Sequence, residues 1–338
     1  MMQNNLVLVT GANGHLGNNL VRLLIDKGYK VRASVRNIKN SEPFLGLDCE
    51  VKQADITDKQ SMVEALQGVD TFYAVGAVFK LWAKDPQKEI YDVNMIGCKT
   101  MIEAAAEAGV RRIVYVSSIA ALDYSKLPIT EDSGYNPDRR DMYYNSKNDA
   151  EKLAFKLAAE HNIELVSVMP SAMIGSVIAD RLSNSCMILR SVLKNELSVE
   201  TNVALNWIDV KDVAEGCYLA AKKGRNGERY ILANEKSLSI TETMSIANNL
   251  IPELKLKKPV RVPKFVLYSV AWFMEMRAKI TGNPPVLTPK EVGMFWGLIP
   301  DFDISKARTE LGFNPKPGRE ALENALVYMW NNKDRFLN

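Results

Sequence analysis

The stretch Thr10-Gly11-Ala12-Asn13-Gly14-His15-Leu16-Gly17 joins a predicted strand, Leu6–Thr10, to a predicted helix, His15–Lys27. Gly11 permits a tight turn, Gly14 lets the backbone approach a ligand closely, and Gly17 lets the helix pack against the strand. The free N–H groups and the positive end of the helix favour an anion such as a pyrophosphate. Because the pattern follows the first strand of the chain, it predicts a dinucleotide-binding turn. The residues expected to contact the dinucleotide here are Gly11, Asn13, Gly14, His15, Leu16 and Gly17.

Around this turn, short apolar strands alternate with amphipathic helices up to Pro170. Strands bounded by turn residues and separated by helices indicate βαβ units. Their right-handed crossovers build a doubly wound parallel sheet, an α/β fold of the Rossmann type with both faces covered. Beyond Pro170 helices dominate, although Trp207–Leu232 again has a helix followed by a strand. We therefore expect a dinucleotide-binding domain of residues 1–170 plus about 205–235, and a smaller, interleaved C-terminal substrate-binding lobe of residues 171–204 and 236–338.

The composition is that of an ordinary globular protein, with 338 residues, 47% of them hydrophobic and 25% charged. A net charge of +3 provides no electrostatic footprint for nucleic acid. The two histidines and four scattered cysteines favour neither a metal site nor a disulfide framework, and the cysteine usage fits a reducing compartment. The N-terminus lacks the features of a secretory signal. We expect a cytoplasmic protein with no metal ion and no nucleic-acid partner.

The most apolar run of the sequence is FVLYSVAWFM, Phe265–Met274. It is about half as long as the roughly 20 residues that a transmembrane helix needs. We therefore predict no transmembrane segment, and a helix that is buried or faces a substrate. A helix on a membrane surface or in a subunit contact is the alternative.

The end of the second predicted strand indicates which dinucleotide binds. Tyr29–Ser41 contains no acidic residue, and Arg36 lies at the strand's end with Lys39 nearby. A carboxylate in this place binds the ribose 2′-hydroxyl of NAD, whereas an arginine suits the 2′-phosphate of NADP. The sequence therefore favours NADP(H), the alternative being that Arg36 is a solvated loop charge. After the third strand, Asp55 and Ile56 are candidates to flank the adenine, with a helix cap as the competing role of Asp55.

Tyr143 and Lys147 lie four residues apart at the start of a predicted helix, so their side chains share one helix face. A nearby ammonium favours the phenolate, and we expect Lys147 to lower the tyrosine pKa from its usual value of about 10. Such a tyrosine can exchange a proton with a carbonyl or alcohol oxygen as hydride is transferred. Tyr144 is the competing candidate, but its i+4 partner, Asn148, carries no charge. Taken alone, this spacing is a common helical pair.

A third candidate element is the run Val116-Ser117-Ser118 at the carboxyl end of another strand. Ligands of open α/β sheets bind at that edge. A serine hydroxyl there can hydrogen-bond a substrate oxygen and orient it toward the tyrosine. A cap or a turn is the more common role of a lone serine at a strand end.

The glycine-rich turn, the strand-end serine and the YxxxK pair, in this order within one sheet, resemble the short-chain dehydrogenase/reductase superfamily. The length and the C-terminal lobe suggest its extended branch, and the resemblance covers essentially the whole chain. Several stretches are similar to dihydroflavonol 4-reductases and their bacterial relatives: VRASVRN (Val31–Asn37), YDVNMIG (Tyr91–Gly97), IVYVSS (Ile113–Ser118), NWIDVKDVAEG (Asn206–Gly216) and DISKARTELGFNPK (Asp303–Lys316). FKLWAKDPQKEIYDVN (Phe79–Asn94) and TGNPPVLT (Thr281–Thr288) are more similar to bacterial 3β-hydroxysteroid dehydrogenases or to proteins described as sugar epimerases of hopanoid clusters.

The resemblance implies that Ser118, Tyr143 and Lys147 form the catalytic set, with Asn94 as a structural asparagine close to it. It also implies that Lys147 binds the nicotinamide ribose. Further cofactor contacts are implied at Val75, Gly76, Ala77, Pro170 and Met173. A homodimer is the usual assembly of that superfamily.

Apolar side chains are the expected walls of a substrate site, with a few polar groups placed among them. The substrate contacts expected here are Phe79, Trp82, Ser118, Tyr143, Met173 and Met187. We expect an NADPH-dependent reductase that acts on an aldehyde, ketone or hydroxyketone of moderate hydrophobicity. A 3β-hydroxysteroid dehydrogenase would use the same residues on a bulkier alcohol. A nucleotide-sugar epimerase or dehydratase would hold NAD tightly, which Arg36 disfavours, and a non-catalytic dinucleotide sensor would not need the catalytic set.

Overall fold

A computed structural model of the protein describes residues 5–80, 82–177, 182–200, 202–282, 285 and 287–337. Leu81, within the Phe79–Asn94 stretch, lies outside the described residues. The same holds for residues 283, 284 and 286 of the Thr281–Thr288 stretch.

The first half of the chain alternates strands and helices. Its strands are β1 (Leu6–Val9), β2 (Lys30–Val35), β3 (Cys49–Gln53), β4 (Thr71–Ala74), β5 (Arg112–Val116) and β6 (Glu164–Pro170). Its α-helices are α1 (His15–Asp26), α2 (Lys59–Leu66), α3 (Val93–Glu107) and α4 (Met142–Glu160). Aspartate side chains fix two of the helix starts, because Asp58 and Asp141 accept hydrogen bonds from the first backbone N–H groups of α2 and α4.

The second half has shorter strands and returns once to the main sheet. Its strands are β7 (Ala172–Ile174), β8 (Val199–Glu200), β9 (Ala204–Leu205), β10 (Trp207–Asp209), β11 (Arg229–Leu232), β12 (Leu238–Ser239) and β13 (Val260–Arg261). Its α-helices are α5 (Asn184–Leu193), α6 (Val210–Lys223), α7 (Ile240–Leu250), α8 (Lys264–Thr281), α9 (Pro289–Phe295), α10 (Gly318–Asn331) and α11 (Lys333–Phe336).

Seven strands form one parallel sheet in the order β11-β6-β5-β4-β1-β2-β3. From β1 the chain first builds outward to β2 and β3, and then crosses to β4 and builds outward on the other side. Ligands of doubly wound sheets bind at this switch, outside the carboxyl ends of the strands. The predicted doubly wound α/β fold is confirmed.

Both faces of the sheet are buried, as a parallel sheet covered by helices requires. Val7 and Val9 of β1 point into the core beneath α1 and α6, whereas Leu8 points into the opposite core beneath α2, α3 and α4. All three side chains are almost completely buried. Because successive strand residues face opposite sides, the continuous apolar runs of the sequence fill two cores at once.

The second lobe has a core of its own, to which α5, α7 and α10 contribute. Trp207 lies fully buried in it, and its indole N–H donates to Thr243 Oγ1 at 3.3 Å. The residue limits expected for the two domains stay a prediction.

Helix α8 differs from its expected buried position. Only Leu267, Ala271 and Ala278 of this helix are buried. Neighbouring elements cover a single narrow stripe, and most of the other apolar side chains are exposed, so α8 is not a buried helix, which was one of the two predicted positions. No helix within the described residues has the length and the apolarity needed to cross a lipid bilayer.

Candidate active site

The glycine-rich turn between β1 and α1 has a different geometric constraint at each glycine. Gly11 has φ of +60°, in the left-handed region that favours glycine. A Cβ atom on Gly17 would lie 2.2 Å from the Gly11 carbonyl oxygen, so a larger residue cannot hold α1 this close. Gly14 is the N-cap of α1, where the first-turn N–H groups have no acceptor inside the helix. This end of the helix can therefore hold an anionic ligand.

Thr10 fixes the turn to the neighbouring strand, a role that sequence reasoning missed. Its Oγ1 accepts hydrogen bonds from the backbone N–H groups of Val75 and Gly76, each at 3.1 Å. A Cβ atom on Gly76 would lie 3.2 Å from Ile56 Cγ2, so the loop after β4 packs closely on its surroundings. A hydroxyl residue at the end of the first strand was the only signal in the sequence.

His15 lies at the first position of α1 with its imidazole buried. Burial is the largest effect on its pKa and lowers it to about 4, while Ser176 and Asp209 act in the opposite direction. The imidazole is therefore neutral at neutral pH. His15 adds no positive charge to the turn, and the anion site depends on backbone N–H groups.

Arg36 follows the end of β2, close to the turn. A hydrogen bond from the Ala12 N–H to the Ser34 carbonyl oxygen, at 3.1 Å, joins the glycine-rich turn to β2. Arg36 itself is exposed, and its guanidinium forms no ion pair with any described residue. It is thus available to a ligand that extends from the turn past the end of β2.

Asp55 is held by its own loop. Its Oδ1 accepts hydrogen bonds from the Thr57 N–H and hydroxyl at 2.9 and 2.8 Å. The cap of α2 is Asp58, so a capping role for Asp55 is wrong. Ile56, the other residue expected near the adenine, packs against Gly76 and Gly97.

Tyr143, Ser118 and Lys147 meet at the carboxyl edge of the sheet. The side chains of Tyr143 and Ser118 face the same cavity. Ser118 also caps the short helical turn that follows β5, where its Oγ accepts from the Ala120 N–H at 3.1 Å. Lys147 Nζ donates to the Val116 carbonyl oxygen at 3.2 Å. The helix cap Asp141 orients the first turn of α4, which presents both Tyr143 and Lys147 to this edge.

Burial controls the protonation of this group. Burial raises the pKa of Tyr143 to about 12, although the neighbouring Ser118 side chain opposes the rise. Burial lowers the pKa of Lys147 to about 8, against the attraction of Glu151. The expectation that Lys147 lowers the tyrosine pKa is therefore wrong, because the ammonium is directed to the Val116 carbonyl and desolvation dominates. Tyr143 keeps its proton at neutral pH.

Asn94 lies behind the catalytic edge and does not line the cavity described below. Its Oδ1 accepts from the Val78 N–H at 2.8 Å. Its Nδ2 donates to the Val78 carbonyl at 3.0 Å and to Ser146 Oγ at 2.9 Å. Asn94 therefore ties α3 to the loop after β4 and to α4, which makes it a positioning residue.

A cavity of about 470 Å³ opens in front of Tyr143. Its walls are the carboxyl ends of β4, β5 and β6, the first turn of α4, and parts of the second lobe, and they are mostly apolar. Several residues predicted to contact the cofactor line it: Leu16, Val75, Ala77, Tyr143, Lys147, Pro170 and Met173.

The residues expected to contact substrate divide into two groups. Phe79 and Met173 line the cavity together with Ser118 and Tyr143, and the Phe79 ring centroid is 4.5 Å from that of Tyr143. Trp82 does not line the cavity. Neither does Met187, which α5 presents on its solvent side with 43% of the residue exposed.

Glu291 of α9 is a half-buried acid of the cavity that sequence reasoning missed. Its Oε2 accepts from the Thr288 N–H and hydroxyl, both at 2.7 Å, and burial raises its pKa. The adjacent Lys290 forms an ion pair with Asp141 at 2.6 Å, which fastens α9 over the start of α4. Tyr144, the competing tyrosine, also lines the cavity. The T-x-x-E pattern predicts a helix start, but not its position over α4.

Residues 7–233 match the sequence model of the NAD dependent epimerase/dehydratase family, which is more than half of the chain. The chain belongs to that family. It is thus an extended short-chain dehydrogenase/reductase, an NAD(P)-dependent oxidoreductase that uses a nicotinamide dinucleotide.

Individual relatives cover nearly the whole length of this short-chain dehydrogenase/reductase. It is 31% identical over 332 residues to a putative dihydroflavonol 4-reductase of Synechocystis sp., with 96% of this chain and 94% of the relative covered. It is 31% identical over 341 residues to sterol demethylase protein B of Methylococcus capsulatus, with 95% and 97% covered. The crystal structure of gox2253, 29% identical, matches with a TM-score of 0.79 over 97% of this chain and 98% of that one. The predicted superfamily is confirmed.

Proposed function

We propose that this oxidoreductase is an NADPH-dependent reductase that converts the carbonyl group of a moderately hydrophobic aldehyde or ketone to an alcohol. The observation that carries the proposal is that the Tyr143 and Ser118 side chains line the same mostly apolar cavity, where Ser118 opposes the rise in the tyrosine pKa. A protonated phenol beside a second hydroxyl can bind a carbonyl oxygen and protonate it.

The glycine-rich turn fits the pyrophosphate of a dinucleotide. A Cβ atom on Gly14 would meet only the Gly11 carbonyl oxygen, so its other side is open to a ligand. The unpartnered first-turn N–H groups of α1 favour an anion there. Leu16, Val75 and Met173 continue from this turn into the cavity that contains Tyr143. When bound, the nicotinamide ring supplies a hydride to the carbonyl carbon.

The chain's own residues would handle the proton. Tyr143, whose pKa is raised to about 12, holds its proton at neutral pH and gives it to the carbonyl oxygen. Ser118 binds the same oxygen and orients it. Lys147 is buried at the same edge of the sheet, where its Nζ donates to the Val116 carbonyl oxygen and supplies a positive charge to the wall of the cavity.

Arg36 supports NADP(H) as the dinucleotide. It is exposed beside the turn and forms no ion pair within the described part of the chain, so it can form charge-assisted hydrogen bonds with a 2′-phosphate. The residues immediately around it, Val35 and Asn37, are not acidic. A carboxylate here would repel that phosphate.

The first experiment measures oxidation of NADPH by the purified protein with a panel of aldehydes and ketones. We expect turnover with apolar carbonyl compounds, and Tyr143→Phe should lower kcat about 100-fold or more, because general acid catalysis contributes at least this much. NADPH binding, followed by fluorescence titration, should stay unchanged in this variant.

Tyr144→Phe is the matched control, since this tyrosine is adjacent, half-buried and part of the same cavity. Its effect on kcat should be less than about tenfold. A large loss in Tyr144→Phe with a small loss in Tyr143→Phe would contradict the assigned roles. Absence of turnover on every carbonyl compound would contradict the reductase itself.

Oxidation of a sterol-type 3β-alcohol is the second candidate function. It is favoured by the mostly apolar cavity and by the 31% identity to sterol demethylase protein B. NADP⁺ reduction with a 3β-hydroxysterol, and none with small alcohols, would select it. Copurification of NAD that survives dialysis would instead select an epimerase-type reaction.

We extend the proposal to a cytoplasmic location and a homodimer. The four cysteines are all free, which fits a reducing compartment. Three of them, Cys98, Cys186 and Cys217, are buried.

A further inference from the structure

Helix α8 presents a large apolar surface to solvent. Its most exposed apolar residues are Phe265, Phe273 and Ile280, with 73%, 68% and 82% of the residue exposed. Further exposed apolar or aromatic residues of this helix are Tyr268, Val270, Trp272, Met274 and Met276. Contiguous apolar patches of this kind mark interaction sites, because isolated globular proteins rarely expose them.

The segment that leads into α8 is strongly basic. Residues 255–264 contain no acidic residue but five exposed basic ones, Lys255, Lys257, Lys258, Arg261 and Lys264. None of these five forms an ion pair with a residue that the structure describes. Between residues 255 and 281 there are seven basic residues and a single acidic one, Glu275, which pairs with Lys279 at 3.4 Å. This excess is larger than the +3 of the whole chain, so the remainder of the chain is net acidic.

We propose that residues 255–281, the docking segment, bind the surface of an anionic lipid bilayer. The exposed apolar side of α8 would lie in the plane of the interface, with Trp272 and Tyr268 at the level of the headgroups. The basic residues before the helix would meet the negative charge of the lipids. At 18 residues α8 is about 27 Å long, so it offers an extended apolar side to the interface.

Charge complementarity selects a lipid surface over a second copy of this chain. In a symmetric dimer the same patch occurs on both subunits. Pairing the docking segment with itself would leave its basic residues without an opposite charge, because the segment contains seven basic residues and a single acidic one. An anionic bilayer neutralises the same cluster.

The docking segment is connected to the cavity through α8 itself. Leu267 lines the cavity from the buried side of this helix, while Phe265 and Phe273 extend into solvent. A docked protein therefore has one wall of its apolar cavity next to the lipid. The docking does not depend on which reaction the cavity supports.

The test is cosedimentation of the full-length protein with vesicles of phosphatidylcholine alone, or of phosphatidylcholine and phosphatidylglycerol in equal parts. We expect binding to the mixed vesicles at low salt, much weaker binding to the neutral ones, and release at high salt, because screening weakens the electrostatic attraction.

Two variants address the two parts of the docking segment. Phe273→Ser combined with Ile280→Ser should weaken binding to the mixed vesicles at least about tenfold. Lys257→Glu combined with Lys258→Glu should weaken it at least about tenfold as well, since each basic residue near the surface contributes about fivefold. Leu45→Ser is the control, because Leu45 is an equally exposed apolar residue, 78% exposed, outside the docking segment. It should bind like the unmodified protein.

The proposal is overturned if the unmodified protein stays in the supernatant with mixed vesicles at low salt, or if both double variants bind as it does. Sedimentation velocity measures whether a second copy of this chain binds the docking segment instead. A dimer that Phe273→Ser with Ile280→Ser dissociates would assign the surface to a subunit contact instead. Unchanged melting temperatures show that the variants are folded.

Discussion

Arg36 illustrates how a single exposed side chain can set cofactor preference. Arg36→Glu removes a guanidinium that has no competing ion pair within the described chain and places a carboxylate beside the expected 2′-phosphate. Each hydrogen bond to a charged group contributes about 1.5–3 kcal/mol. We expect the KM for NADPH to rise about 30- to 100-fold, while the KM for NADH changes little or falls.

Lys39→Glu is the matched control, since Lys39 is also exposed and only three residues away. It should change the KM for NADPH less than about fivefold, because a charge away from the phosphate is screened by solvent. Steady-state kinetics with both dinucleotides checks the prediction. An unchanged NADPH preference in Arg36→Glu would place the phosphate elsewhere.

The buried charge of Lys147 serves the proposed reaction but lowers the stability of the folded protein. Its pKa is lowered to about 8 by burial, so the folded protein binds fewer protons than the unfolded chain between pH 8 and the ordinary lysine pKa of 10.5. Lys147 therefore destabilises the folded protein less as the pH rises across that window, and the free energy of unfolding rises. We expect carbonyl reduction to decline as the pH rises through about 8, where the ammonium loses its charge.

Lys147→Met should abolish most of the activity and yet stabilise the fold by about 2 kcal/mol at pH 7, because a buried charge is removed. The advantage should shrink toward pH 10.5. Lys156→Met on the same helix is the control, since Lys156 is 69% exposed and should change stability by less than about 0.5 kcal/mol. Urea unfolding at pH 7 and at higher pH measures both variants. A Lys147→Met protein that is less stable at pH 7 would contradict this assignment.

At the scale of elements, two glycines of the turn between β1 and α1 have different roles: Gly17 is required for packing of the helix, and Gly14 for the proposed binding of the dinucleotide. Gly17→Ala would place a Cβ atom 2.2 Å from the Gly11 carbonyl oxygen and 2.8 Å from Ala12 Cα, and should destabilise the protein by about 3 kcal/mol. Gly14→Ala meets only the Gly11 carbonyl oxygen, at 3.1 Å, and should affect stability much less.

The same pair of variants should behave in the opposite order toward the dinucleotide. In Gly14→Ala the new methyl group would occupy the open side of the turn, and we expect NADPH affinity to fall at least about tenfold. Thermal unfolding and fluorescence titration of the two variants check the pair. Equal effects of both substitutions on stability would contradict the assignment of packing to Gly17 and of dinucleotide binding to Gly14.

Sequence patterns predicted those elements whose signals are local. The glycine turn, the strands of the sheet and the helix that carries Tyr143 follow from periodicity and from the spacing of neighbours. Contacts between distant segments gave no such signal. Thr10 contacts the loop after β4, which is about 65 residues away in the sequence. Glu291 lines the same cavity as Tyr143, which precedes it by more than a hundred residues. The predicted lowering of the Tyr143 pKa failed for the same reason, because the desolvation of Tyr143 by distant residues such as Phe79 and Ile90 is not readable from an i, i+4 pair.

At the scale of the whole molecule, the candidate site is closed by contact between the two halves of the chain. The ion pair between Lys290 and Asp141 joins α9 to the cap of α4. Only 5% of the Asp141 side chain is exposed, so the pair is shielded from solvent on that side. Of the cavity walls from the second lobe, sequence reasoning identified Met173 correctly but not Met187, whose side chain faces outward, because a helix face is assigned only once its neighbours are known.

The path of the chain through the main sheet also has a consequence for how this protein can be altered. The polypeptide leaves the sheet after β6 and comes back to add β11 at its edge, so neither half is a contiguous stretch. An exchange of the second lobe with that of a homologue needs three crossover points, one after β6 and one on either side of the segment that returns to the sheet. Point substitutions at the cavity-lining residues between 182 and 205 and between 263 and 300 are a simpler route to new substrates, because they change the shape of the cavity and leave the main sheet intact.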